Sequence, residues 1–271
     1  MKGLMVGNPG TEGDWFYYRN EFAFVNFMFS HALIPQSNYT VAQKACGWNN
    51  FLDECQKDWI HPGLACENAV SAALTYVPPD VDLYGIYFPF CNEPSPSLGT
   101  TSTAAADFTK YVRGWNPMFD RFLPQMKYYP CVTNYMVNYM NMPSLQAAIH
   151  VVPTKWNWIS SIMQYGPRYD SMVPLYQRFF REVPQWRILV FSGDGDGAVP
   201  FLSTQRWIEC LNRPILKDWQ FWRHNNQVQG AFKTYDRLTM LTAKGCGHML
   251  SMYCPEQGWV MFDRWMNKIP F

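Results

Sequence analysis

Two segments near the end of the chain share one pattern, and that pattern constrains the fold more than any other feature. Arg187-Ile188-Leu189-Val190-Phe191 is a short run, apolar after its first residue, that stops at Ser192-Gly193. A loop with two acids, Asp194 and Asp196, follows it, and Phe201–Leu211 then carries helical spacing. Leu238–Ala243 is a second short run, stopped by Lys244-Gly245, with His248 in the loop beyond. Pro255–Met266 closes the chain as a predicted helix, with Pro255 suited to its first turn. Short apolar runs bounded by turn residues are consistent with strands covered on both faces. Strand, loop and helix, twice in succession, predict an α/β fold with a mainly parallel sheet. Functional groups in such sheets gather beyond the carboxyl ends of the strands. Asp196 and His248 both fall there.

The rest of the chain is less regular. Lys2–Val6 predicts a buried strand, ended by Gly7-Asn8-Pro9-Gly10. Residues 11–40 are rich in aromatics and predict helix through FYYRNEFAFVNFMFSHAL. The aromatic run Trp15–Phe29 is expected to be core or lid. Residues 41–70 hold Cys46, Cys55 and Cys66 among polar residues, as in a disulfide-stapled insertion. Pro, Ser, Thr and Gly crowd residues 92–105, which predicts a loop. Helix is expected over Tyr135–Ile149, with Pro143 opening its second part, and again over Leu175–Phe180. His31 and His150 fall in helical segments and are expected to pack; His61 and His224 carry no signal of their own.

Composition limits the function classes. With 22 basic and 21 acidic residues the net charge is +1, so nothing steers the chain to nucleic acid or an anionic membrane. No run approaches the roughly 18 apolar residues needed to span a bilayer. Eight cysteines and the sequon Asn38-Tyr39-Thr40 point to a secretory, lysosomal, vacuolar or extracellular compartment, with Asn38 a glycan acceptor. The opening apolar run is too short for a signal peptide, so a preceding segment is expected.

The acidic loop FSGDGDGAVP admits three readings. As a calcium loop from Asp194, it would place Val199 where glycine is needed and Gln205 where glutamate is needed, and so it fails. No C-x-x-C spacing suggests zinc, and no metal or other cofactor is expected. A plain turn remains open, since Gly and Asp favour turns for backbone reasons. The third reading pairs the loop with KGCGHM. An acid after one strand and a histidine after a later one follow the Asp-then-His order of an α/β-hydrolase triad. A carboxylate accepting the imidazole Nδ1–H fixes the tautomer, which leaves Nε2 free to take a proton.

Several segments, in order, resemble the serine carboxypeptidases. KGLMVGNP is similar to the family's strand and Gly-Asn turn after the nucleophile. FSHALIP resembles its His-Gly-Leu-Ile segment, and DLYGIYFPFC its "Asp-x-Tyr … Cys" strand. YMNMPSLQAAIHV resembles its "Tyr-Leu-Asn … Val-Gln … Ala-Leu-His" helix. VFSGDGDGAVP is close to its Gly-Asp-x-Asp loop, and LTMLTAKGCGHML to its catalytic-histidine segment. The resemblance implies the C-terminal part of an α/β-hydrolase fold with a helical, disulfide-containing cap insertion. Residues 1–10 and 132–271 would be the core and 11–131 the cap. It implies Asp196 as catalytic acid, Asp194 as an auxiliary loop-shaping acid, His248 as catalytic base and Met249 as a substrate contact. It also suggests a Cys91–Cys131 bridge and one within Cys46, Cys55 and Cys66. Cys246 and Cys254 flank His248 closely enough to bridge.

The departures are equally informative. No Gly-x-Ser-x-Gly occurs in the 271 residues, and the family's Gly-Gly-Pro-Gly segment is absent. The family's "Trp-x-x-Cys-Ser" becomes Trp156-Asn157-Trp158-Ile159-Ser160, and Cys246 stands where the family has alanine. The implied activity is release of C-terminal residues from peptide substrates, with the serine on a further N-terminal segment or chain. One alternative is a catalytically inactive truncated paralogue that binds or scaffolds. Another is a family acyltransferase or lyase. No membrane or nucleic-acid partner is expected.

Overall fold

The computed structural model describes residues 3–11, 21–48, 63–91, 132–157 and 171–271. The expected loop at 92–105, the helical reading of 16–20, and Cys55, His61, Cys131 and Ile159 lie outside the described residues. The chain divides into two compact units, Met1–Tyr87 with Pro167–Phe271, and Phe88–Gly166.

The first unit is built on a five-stranded sheet of order β1-β2-β5-β4-β3. Its strands are β1 (Gly3–Gly7), β2 (Arg187–Gly193), β3 (Ile215–His224), β4 (Gln227–Tyr235) and β5 (Leu238–Ala243). β1 and β5 flank β2 in parallel. β4 pairs antiparallel with both β5 and β3. The expectation of a mainly parallel sheet therefore holds only for the half that carries Asp196 and His248. A β3–β4 hairpin, absent from the sequence reading, forms the other half.

Alternation along β2 sends its side chains to opposite faces. Ile188 and Val190 pack with Tyr176, Phe180, Trp207 and Ile208. These come from helices α6 (Val173–Glu182) and α7 (Phe201–Cys210). Leu189 packs with Trp222, Phe232, Leu241 and Met261 on the other face, where Met261 belongs to α9 (Pro255–Asn267). Covered on both sides, β2 and β5 are mostly apolar, and their buried Ser192 and Thr242 are hydrogen-bonded to Thr204 and to the Ala231 N–H.

A separate helical core lies in the same unit. Helices α1 (Glu21–Ser30), α2 (Gln36–Cys46) and α3 (Leu64–Leu74) bury Val25, Phe27, Met28, Ala42 and Val70. The Cys46–Cys66 disulfide staples α2 to α3. The described part of the aromatic run is core here. His31 follows α1, stacked on Phe27. No described helix is long and apolar enough to cross a membrane.

The second unit contains α4 (Val132–Met140) and α5 (Pro143–Ala148), with Pro143 in the first turn of α5. Two amides fix the extended segment beyond. Asn141 bonds both ways to the Trp156 backbone, at 2.9 Å each. Gln146 does the same to Thr154, at 2.8 and 3.2 Å. His150, expected to pack, is exposed with φ 57°, because it ends the helix in a left-handed turn. Cys91 is disulfide-bonded, as is Cys210 in the first unit.

Candidate active site

The two loops beyond β2 and β5 meet backbone against backbone. The Gly195 N–H donates to the Cys246 carbonyl at 2.8 Å, and the Asp194 N–H to the Ala243 carbonyl at 3.0 Å. This approach requires glycine at 193, where a Cβ would overlap the carbonyl oxygens of Cys246 and Gly247. The pairing brings His248 to Asp196. Nδ1 lies 2.8 Å from Asp196 Oδ2, and because a carboxylate only accepts, Nδ1 carries the proton.

Asp196 is fully buried. Its Oδ1 accepts the backbone N–H groups of Ala198 and Val199, each at 2.9 Å. Its Oδ2 accepts from His248 and also from Asn8 Nδ2 at 2.6 Å. Four donors thus hold one buried carboxylate, as its burial demands. Asn8 sits just past β1 with φ 43°, its N–H bonded to the Phe191 carbonyl at 2.7 Å. The sequence reading assigned Asn8 only to a turn. The missed signal is a polar residue placed at the carboxyl end of a strand beside the one that leads to Asp196.

The segment Asp82–Cys91, which resembles a family strand, is here a chain of turns. Its carbonyls serve the site because no ladder uses them. Leu83 O accepts from Gly197 and Ala198 at 2.8 Å each, and Tyr84 O accepts the His248 N–H at 2.6 Å. The Tyr84 ring meets the imidazole edge-to-face at 5.2 Å.

Asp194 ties the two loops together, its Oδ1 taking the Gly245 N–H at 2.5 Å. Burial pushes its carboxyl above the usual range, against the opposing pull of that N–H, His31 and Lys244. An acid whose folded pKa is raised binds more protons folded than unfolded, so its stability contribution is fully present below the unfolded value and declines as pH rises above it. The decline should begin near the unfolded carboxylate value of ~3.9. Asp194→Asn keeps the Oδ1 acceptor and removes the charge. Urea midpoints measured across pH should therefore fall less steeply above that value for the variant than for the wild type.

His248 retains 29% side-chain exposure and lines an apolar groove of about 530 Å³ with Met5, Phe191, Met249, Trp259 and Phe262. Among the described residues, nothing accepts from or donates to Nε2. Asn38 lies in the first turn of α2, partly exposed. Cys246 and Cys254 form a disulfide around the histidine.

Asn8 can be tested directly. Asn8→Ala deletes a hydrogen bond to a buried charge and should destabilise the chain by ~1.5–3 kcal/mol. Asn8→Asp places two carboxyls where one proton must be shared. It should cost more than Ala at neutral pH and approach Ala in acid, as read from urea midpoints at the two pH values.

A parallel strand pair whose following loops bring a buried acid onto a partly exposed histidine fits an α/β-hydrolase fold. The chain belongs to the serine carboxypeptidase family, whose sequence profile matches residues 1–268. It is 28% identical over 279 residues to "Serine carboxypeptidase-like 26" of Oryza sativa subsp. japonica, covering 100% of this chain and 54% of that protein. It is 30% identical over 268 residues to "Serine carboxypeptidase 24" of Arabidopsis thaliana, covering 97% and 53%. The fold is similar to that of Kex1(delta)p, a prohormone-processing carboxypeptidase from Saccharomyces cerevisiae. There the TM-score is 0.55 and the identity 16%, over 98% of this chain and 55% of that one. The chain thus spans about half the length of these relatives.

Proposed function

We propose that this chain supplies the acid and base of a serine-type carboxypeptidase, and that a further polypeptide segment supplies the nucleophile. The observation that carries the reading is the 2.8 Å contact between His248 Nδ1 and the buried Asp196. In the proposed reaction Nε2 takes the proton of an incoming serine hydroxyl as the serine attacks the last peptide carbonyl. It then gives that proton to the departing amine. Water repeats the sequence on the acyl-enzyme. The serine-bearing segment would pair with the outer edge of β1, which is open among the described residues. An open apolar edge is a ready template for such pairing. Peptides are the proposed substrates, with Met249 beside the scissile end. A secretory or vacuolar setting is proposed from the disulfides and from the Asn38 sequon.

The chain should be purified alone and co-expressed with the serine-bearing N-terminal half of a relative. Each preparation is then treated with a fluorophosphonate and assayed on N-blocked peptides. The chain alone should take up no stoichiometric label. The complemented protein should take one label, on the added serine, and release C-terminal residues. One equivalent of label on a serine of this chain would overturn the proposal. Turnover of glucose esters instead of peptides would favour acyl transfer, and stable complementation without turnover would favour a binding role.

A further inference from the structure

The Cys246–Cys254 bridge closes a loop of sequence separation 8 around His248. Each of its ends is anchored. The Cys246 carbonyl holds the Gly195 N–H of the acid loop, and the Cys254 carbonyl accepts the Gly258 N–H at 2.9 Å, within α9. The disulfide therefore joins the acid loop and the histidine loop to a 13-residue helix. Between the cysteines the chain is also held at Leu250, buried in the core, and at Tyr253, buried with its hydroxyl donating to Asp82 Oδ2 at 3.1 Å. The only helix there, α8 (Leu250–Tyr253), has four residues, too few to persist unaided. The His248 N–H bond to Tyr84 is the main backbone tie to another segment.

Access to the two sulfurs is unequal. Cys246 is fully buried in the core beside Leu241 and Ala243. Cys254 is half-buried and precedes Pro255, which lines the apolar groove. A reductant would meet Cys254 first.

We propose that the Cys246–Cys254 disulfide is a clamp that positions His248 on Asp196, and that a dithiol reductant opens it and so uncouples the pair. The inference rests on the observed His248–Asp196 hydrogen bond and not on the peptidase reading, so its test needs no turnover. In the opening step one thiolate of the reductant attacks the Cys254 sulfur. The S–S bond breaks, and its electron pair leaves on the Cys246 sulfur, which takes up a proton. The second thiol of the reductant then attacks the mixed disulfide and expels Cys254 as a thiol. The reductant closes to a cyclic disulfide, and two electrons and two protons have passed to the protein.

The test is hydrogen exchange of the His248 Nδ1–H, followed by NMR on the isotope-labelled chain and assigned by its loss in His248→Gln. Dithiothreitol is added in steps, and alkylation with mass spectrometry reports which cysteines have opened. A loop of this length loses enough closure that Nδ1–H exchange should accelerate ~10- to 100-fold as Cys246 and Cys254 become alkylatable. Reoxidation should reverse the change. The C246A/C254A variant should exchange fast without reductant, and C46A/C66A should match the wild type. The amide signals of β2 and β5 should persist throughout. Unchanged exchange with the bridge demonstrably open would overturn the proposal. So would collapse of the β2 and β5 signals together with the bridge, which would make it a staple for the whole fold. Acceleration that tracks opening of Cys46–Cys66 instead would also overturn it. If C246A/C254A does not fold, the stepwise reduction of the wild type decides alone.

Discussion

Asp196→Asn should lower kcat of the serine-complemented enzyme about 10⁴-fold and leave KM little changed, the size of loss seen when the orienting acid of a Ser-His-Asp triad becomes an amide. The surroundings of Asp196 dictate this result more firmly than the motif does. Two backbone N–H groups, of Ala198 and Val199, claim Oδ1. An asparagine must therefore keep its oxygen there and turn its NH2 to the Oδ2 position. At that position it faces two donors, His248 Nδ1–H and the Asn8 amide. The imidazole can escape the clash only by moving its proton to Nε2, and a protonated Nε2 cannot accept from serine. Steady-state kinetics on blocked peptides measures the loss. On the chain alone, the Nδ1–H signal should vanish from the NMR spectrum. A fall in kcat of less than tenfold would remove Asp196 from the role of orienting acid.

How much of this was legible in the sequence depends on where each residue gets its partners. β2 and β5 were readable because burial on both faces leaves a mostly apolar run between turn residues, and α7 and α9 because each follows such a strand and loop with helical spacing, α9 with Pro255 in its first turn. β3 was not. It is an edge strand, exposed along most of its length, with register shifts at Ile215/Lys217, Lys217/Gln220 and Trp222/Arg223. Neither a two-residue period nor an apolar run survives such irregularity. The available signal was Asn225-Asn226, both with positive φ, as a two-residue hairpin turn requires. The contact of Asp196 with His248 could be foreseen because an acid–histidine hydrogen bond depends on those two residue types. The contacts of the Leu83 and Tyr84 carbonyls could not, since any residue could supply them. Asn8 lies between these cases. Its side chain matters, but beside Gly7 and Pro9 an asparagine is already explained as a turn residue.

The glycines of the two loops separate packing from backbone freedom, and they give the largest stability effect expected in the molecule. Gly193 and Gly245 stand on opposite loops and look alike in sequence. A Cβ at Gly245 meets nothing within 4 Å, but the residue has φ +73°. Gly245→Ala should therefore cost only the left-handed backbone penalty of ~1–2 kcal/mol. It should leave the His248–Asp196 hydrogen bond intact. Gly193 shows no such positive φ, yet its Cβ would overlap two carbonyl oxygens of the histidine loop. Backbone atoms cannot turn aside as a flexible side chain can, so Gly193→Ala must push the loops apart. It should cost ~3 kcal/mol or more, in the range of severe overpacking. Separation also stretches the bond from Gly195 N–H to Cys246 O and draws His248 off Asp196. Urea midpoints give the first quantity and the Nδ1–H signal gives the second. Equal costs for the two variants would show that the loops can yield. An intact signal in Gly193→Ala would show that His248 is held to Asp196 by something other than the close approach of the two backbones.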